Sequence, residues 1–169
     1  MSNTFQPTPA QLLQADRLKF PGMLPREVLI FKNWLVAHES EFDSFDYNVR
    51  IGSGHDPGPA WPDYVRQQAI ANTQLRIDAV AHKNGAVSII EVKDRAGASA
   101  VGQLVTYDAV WQEGTAGLPA PNLILVTNRV QPNILPLIKK ANIRLDVVPT
   151  DFSSLKPKPY YPGYGRGAG

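Results

Sequence analysis

The chain contains no cysteine among its 169 residues, which excludes disulfides and thiolate-bound zinc. Oxygen or histidine must therefore hold any metal ion. No apolar run approaches the ~18–20 residues needed to span a bilayer as a helix. The N-terminus carries Pro7 and Pro9 among polar residues, not the charged and apolar regions of a secretory signal. A soluble protein of a reducing, cytoplasmic compartment is expected, with no membrane partner. Charge of one sign is scarce too: 17 Lys and Arg against 15 Asp and Glu leave a net +2. That permits contact with nucleic acid but falls far short of a protein that coats it nonspecifically. The glycine-rich pieces lack the strand-to-helix setting of a phosphate-cradling loop or a dinucleotide fingerprint. His38, His55 and His82 are scattered, with no ligand-like spacing and no companion serine and aspartate for a triad.

What is present is enough apolar residue, 43%, for one well-buried α/β domain. Residues 1–24 read as an N-terminal arm with at most a short helix near Ala10–Leu18. Residues 25–150 read as the domain, and residues 151–169 as a Pro- and Gly-rich tail ending KPKPYYPGYGRGAG. Within the domain, Pro25 suits a helix first turn, and Val28, Ile30, Phe31, Trp34 and Leu35 recur at helical spacing to about His38. Phe45, Tyr47 and Val49 alternate with polar residues in a strand over 42–51. Gly52–Pro62 holds too many breakers for helix or strand, and 63–73 fits either a short helix or an extended connection. Strands at 74–83, 86–93, 122–127 and 143–148, with helices at 99–112 and 132–141, imply a crossover and hence a mixed sheet.

The most informative dipeptide is Asn84-Gly85, the strongest short-range signal for a two-residue hairpin turn. With Lys83 and Ala86 flanking it, Asp78 is expected opposite Glu91 and Arg76 opposite Lys93, all four on one sheet face. Opposed carboxylates repel at the short Cβ separation of a cross-strand pair. Glu91 and Lys93, as i and i+2, point to one side while Val92 points away. An Asp, Glu and Lys cluster of this kind suits a divalent metal and an activated water. Flanked by Val80 and Ile89, Asp78 interrupts a partly apolar surface, where an unpaired charge is expensive. Asp63, of the dipeptide Pro62-Asp63, is a rival aspartate, but no register ties it to Glu91; it is expected to be a turn or capping residue.

The stretch Arg76-Ile77-Asp78-Ala79-Val80, the turn, and Ile89-Ile90-Glu91-Val92-Lys93 resemble the catalytic hairpin of the PD-(D/E)xK nuclease superfamily. Gln103-Leu104-Val105-Thr106-Tyr107 resembles the glutamine-plus-tyrosine helix motif of its RecB-like branch. The resemblance implies a restriction-endonuclease-like mixed sheet flanked by helices. It implies Mg²⁺ or Mn²⁺ held by Asp78, Glu91 and the Val92 backbone carbonyl. Glu27 stands where some branches add an acidic ligand, although as an ordinary helix residue it would be solvated. Lys93 would orient the water, and Gln103 would position water or phosphate. Tyr107 and His55 are candidate substrate contacts.

The expected function is hydrolysis of DNA phosphodiester bonds, in processing or repair of DNA. The alternative is an assembly protein that keeps the nuclease fold, in a phage particle or another nucleoprotein complex, with the terminal arms joining copies into a homo-oligomer or larger assembly. In that case it would reside in a virion.

Overall fold

The structure, a computed structural model, describes residues 20–155. The helix expected near Ala10–Leu18 and the tail from Lys156 to Gly169 lie outside the described residues. Helix α1 spans Pro25–His38. Glu27 reaches back from its first turn to accept the Leu24 amide at 2.8 Å, satisfying one of the donors a helix start leaves open. Strand β1 is Ser44–Ile51, β2 Leu75–Lys83 and β3 Ala86–Ala96. Asn84 (φ 48°) and Gly85 (φ 81°) both adopt the left-handed backbone that the two-residue turn between β2 and β3 requires. Helix α3, Ala98–Gly114, carries the chain to β4, Asn122–Val130. Pro132 opens a single 3₁₀ turn, Pro132–Ile134, before the short α4, Leu135–Lys140, so the helix expected over 132–141 is split. Strand β5 is Ile143–Val147.

The five strands lie in sequence order, β1 to β3 antiparallel and β3 to β5 parallel, which is the expected mixed sheet flanked by helices. Ile89 and Ile90 on β3 face opposite ways and enter two separate cores. One packs α3 through Val101, Leu104 and Tyr107. The other packs α1 through Ile30, Phe31, Trp34 and Leu35. Trp34 is fully buried, and its indole N–H donates to Asp146 at 2.8 Å, tying α1 to β5. Truncating such a side chain to alanine typically costs about 3–5 kcal/mol. No helix among the described residues is long and apolar enough to cross a membrane.

The expected arm boundary at residue 24 does not match the packing. Phe20 is buried, edge-to-face with Phe31 and Tyr47 at ring-centroid distances of 5.2 Å each, and Met23 packs beside it. At the other end Phe152 packs on the α1-side core, with the Arg26 guanidinium 4.8 Å from its ring centre. Two aromatic rings thus carry the packed body beyond the limits read from proline and glycine content.

The 63–73 segment resolves to helix α2, Asp63–Thr73, none of whose residues is buried. It stands on the loop between β1 and β2, clasped at its neck by Gln74 to the Gly52 carbonyl and by the His55 amide to Thr73 Oγ1, both 2.7 Å. Trp61 and Tyr64, near its N-terminus, are 54% and 76% exposed.

Strands β1 and β2 do not keep one face throughout, contrary to the simple alternation of Phe45, Tyr47 and Val49. Phe45 and Tyr47 pack on the α1 side, whereas Val49 and Ile51 pack on the α3 side. On β2, Ala79 and Ala81 pack on the α1 side and Ile77 on the α3 side. Positions two apart on a strand share a face, so both strands turn over between these pairs. Asn48, at φ 52°, is where β1 does so, and Asn48 with Asp78 is the pair missing from an otherwise continuous β1–β2 register. Left-handed backbone costs an ordinary L-residue roughly 1–2 kcal/mol and is tolerated best by Gly, Asn and Asp. Asn48→Val should therefore lose about 1–2 kcal/mol in urea unfolding, while Asn48→Gly should keep most of the stability. Equal losses for the two would show that the backbone conformation at 48 is not the constraint.

Candidate active site

The β2–β3 ladder keeps the register set by the Asn84-Gly85 turn as far as Ala79 opposite Ile90, and ends there. Beyond it β2 stays with β1, so Arg76 lies opposite Arg50, not opposite Lys93 as the extended register implied. The cause is the turn-over at Asp78, which carries β2 away from β3. Asp78 and Glu91 are consequently not a ladder pair. Instead the Asp78 carboxylate accepts the Val92 amide at 2.9 Å, replacing with a side chain the backbone acceptor that a continuing ladder would supply. The parting of the strands makes a cleft, and the expected charged residues meet in it.

Glu91 is 1% exposed. Lys93 Nζ lies 2.5 Å from Glu91 Oε1, while Glu91 Oε2 is buried with no hydrogen-bond partner among the described residues. A buried carboxylate oxygen left unpaired is costly unless the carboxyl is protonated or a cation is supplied. Burial pushes Asp78 up to about 6, and the nearby Glu27 charge adds to the shift while the Val92 amide and Lys93 oppose it. Burial pushes Glu91 up to about 7, reinforced by the charge on Asp78. Burial pulls the Lys93 ammonium down, but Glu91, Asp78 and Glu27 together outweigh it and its pKa is raised. Lys93 is thus firmly charged between two carboxyls held short of full ionisation.

Glu27 is not the solvated helix residue its position suggested. It is buried, with its carboxylate turned to the Leu24 amide and within electrostatic reach of Asp78, Glu91 and Lys93. Among the described residues no group of three or more His, Cys, Asp or Glu is placed to hold a metal ion. A cation in the cleft would rest on Asp78, Glu91 and oxygen from backbone or solvent, a hard, partly hydrated set of the kind Mg²⁺ accepts.

Gln103 and Tyr107 share one face of α3, as i and i+4 residues must. Gln103 Nε2 donates to the Tyr107 hydroxyl at 3.2 Å, and that hydroxyl donates to the Arg76 carbonyl at 2.9 Å. Tyr107 is only 3% exposed, so its hydroxyl is committed within the chain, fastening α3 to β2 two residues before Asp78. Burial and the charge of Glu91 raise the phenol to about 12.

Other candidates lie apart. Asp63 begins α2, 93% exposed and paired with Arg66 at 3.3 Å. His55 is exposed in the 52–62 loop, with its backbone tied to Thr73. His38 and His82 contact Glu41 and Asp46. A cavity of about 750 Å³ opens at the opposite end of the sheet between Lys83, Asn122 and Arg144, away from the carboxylate cleft. Sequence reasoning missed the turn-over that opens the cleft; its signal was Asn48, a residue tolerant of left-handed backbone in the middle of a strand.

No protein-family model matches the chain, and no curated protein matches it. Among solved structures it is similar to a repair endonuclease from Pyrococcus abyssi, with 15% identity and a TM-score of 0.47 over 79% of this chain and 50% of that one. It is also similar to a protein of unknown function, with 18% identity and a TM-score of 0.41 over 69% of this chain and 56% of that one. The chain spans about half the length of each.

The carboxyl pair has a thermodynamic signature. Ordinary values are about 3.9 for Asp and 4.3 for Glu, so the folded state, with both raised, holds more protons than the unfolded chain across the interval above them. Stability from the pair is complete at low pH and falls as pH rises through the raised values. Asp78→Asn should therefore melt at or above metal-free wild type, by a margin that widens from about pH 4 to about pH 7 and is constant above it. Mn²⁺ should raise the wild-type melting temperature, by the equivalent of about 2.7 kcal/mol at a hundredfold excess over its dissociation constant, and leave Asp78→Asn unmoved. A margin that does not change with pH would show the carboxyls to be uncoupled.

Proposed function

We propose that the chain is a metal-dependent deoxyribonuclease that hydrolyses DNA phosphodiester bonds, with Mg²⁺ or Mn²⁺ as cofactor. The observation that carries this reading is the Glu91 carboxylate: fully buried, one oxygen on Lys93 and the other unpartnered, beside Asp78 where the ladder parts. Two carboxyls held near each other at an energetic cost are economical only if a cation completes them. Asp78, Glu91 and the Val92 backbone carbonyl would hold the metal. When bound, such a metal supplies Lewis acidity toward the phosphoryl oxygens and lowers the pKa of a coordinated water.

The chain's own groups do the rest. Asp78, anchored by the Val92 amide, has one carboxylate oxygen engaged at a fixed point and so presents the other in a set direction. Glu91 holds the Lys93 ammonium at the mouth of the cleft, where the lysine side chain is 27% exposed. The remaining ammonium hydrogens can orient a water toward phosphorus and donate to the oxygens on which charge builds in the transition state. Gln103, steadied on Tyr107, would position water or phosphate. Glu27 adds negative potential without being a ready ligand, which favours cation binding over an empty cleft.

Purified protein should cut supercoiled, linear or single-stranded DNA with Mg²⁺ or Mn²⁺, and should be silent in EDTA. Asp78→Asn, Glu91→Gln and Lys93→Ala should each lower cleavage by at least ~100-fold, the scale for losing a principal charge-stabilising group. Asp63→Asn should keep most of the activity. Full activity in any of the first three would remove that residue from the mechanism, and no cleavage of any DNA form with either metal would turn the reading to an assembly protein with a structural polar network.

A further inference from the structure

Four arginines share the end of the sheet at which the cleft opens. Arg50 is paired across strands with Arg76, and Arg95 with Arg129. Given the strand order and directions, the end of β1, the start of β2 and the ends of β3 and β4 lie together along this one edge. All four residues are exposed. Like charges directly opposite one another destabilise a sheet, yet two such pairs stand on neighbouring strands at the end of the sheet that holds Asp78, Glu91 and Lys93.

Several other basic side chains among the described residues are neutralised. Arg26 pairs with Asp94, Arg66 with Asp56, Lys83 with Asp43, and Arg144 with Glu41 and Asp146. Among the described residues, none of the side chains of Arg50, Arg76, Arg95 and Arg129 makes a hydrogen bond or ion pair with protein. Asp94, whose charge Arg129 feels, is already bonded to Arg26 and Asn128. The Arg76 backbone is held by Tyr107, so that arginine stands on a fixed base.

We propose that Arg50, Arg76, Arg95 and Arg129 form a phosphate-binding row that grips a DNA backbone on both sides of the carboxylate cleft. The inference rests on the nuclease reading for the identity of its ligand. β1 with β2 and β3 with β4 are hydrogen-bonded neighbours at about 4.8 Å, and with the parted β2 and β3 between them the row spans at least roughly 14 Å, about four phosphate-to-phosphate steps of one DNA strand at 3.4 Å each. Arginine suits the task because its planar fork meets phosphate oxygens bidentately. Contacts of this kind set position and affinity and carry no base preference. The phosphates also supply the counter-charge that the opposed arginines lack.

The test is binding of a fluorescently labelled duplex by anisotropy in EDTA, against salt, for wild type and for Arg50→Gln/Arg76→Gln and Arg95→Gln/Arg129→Gln. At about 0.9 per phosphate contact, each double variant should lower the slope of log affinity against log salt by up to ~1.8, equally for unrelated sequences. Each should melt at or above wild type, and the matching Arg→Lys doubles should recover most of the slope. Wild-type slopes in both Gln doubles, or loss of binding only together with a collapsed melting temperature that Lys does not restore, would overturn the row. Because binding is read without metal, the two readings fail separately. Cleavage with unchanged slopes sinks the row alone, whereas reduced slopes with no cleavage under any metal sink the nuclease alone.

Discussion

One hydrogen bond organises the end of the molecule that holds the carboxylate cleft: Asp78 accepting the Val92 amide where β2 and β3 part. Were the ladder to continue, backbone would fill the space and Asp78 and Glu91 would be a repelling cross-strand pair on a closed sheet. Because the strands separate, a side-chain oxygen takes the place of a backbone one, and the freed volume becomes a cleft with charged walls. The turn-over at Asn48 and Asp78, the Tyr107 contact to Arg76 and the burial of Glu27 all lie around this opening. Each is intelligible as support for a sheet interrupted on purpose. The disturbance is local, since β3 retains its parallel pairing with β4 on its other edge throughout the same stretch.

The separation also explains why the carboxylates of the chain differ so much. Away from the cleft they are held low by guanidinium partners, as with Glu41 and Arg144, or Asp56 and Arg66. In the cleft, Asp78 and Glu91 are held high, chiefly by burial. Perturbation of that kind, by desolvation plus a specific charged neighbour, is what functional sites commonly show. Lys93 is the balancing charge, and its two-residue spacing from Glu91 is what makes the ion pair geometrically automatic.

Much of this was legible in the chain. Asn84-Gly85 named the turn, the turn set the register as far as Ala79 and Ile90, and the order of apolar runs gave a mixed sheet with helices on both faces. The elements from Pro25 to Val147 fall close to where periodicity placed them, because each strand or helix buries its own face. What escaped was tertiary. Register arithmetic assumes a straight ladder, so it wrongly carried Arg76 to Lys93; only the twist of β2 toward β1 decides otherwise. Glu27 looked solvated because nothing in a helix sequence reports that a cleft will open beneath its first turn. Phe20 looked like part of an arm because its neighbours are prolines and glycines, yet two aromatic rings wait for it in the core.

Helix α2 gives the architecture a further property. It is inserted between two strands that are already adjacent and antiparallel, it buries none of its own residues, and two polar clasps close its neck. The sheet therefore owes it almost nothing. Such a piece can lengthen, shorten or change its surface under selection while core and carboxylate cleft stay as they are, and it carries Trp61 and Tyr64 outward on a stalk. In evolutionary terms it is a detachable tool-head, the place where chains of this architecture have most room to diverge in what they touch.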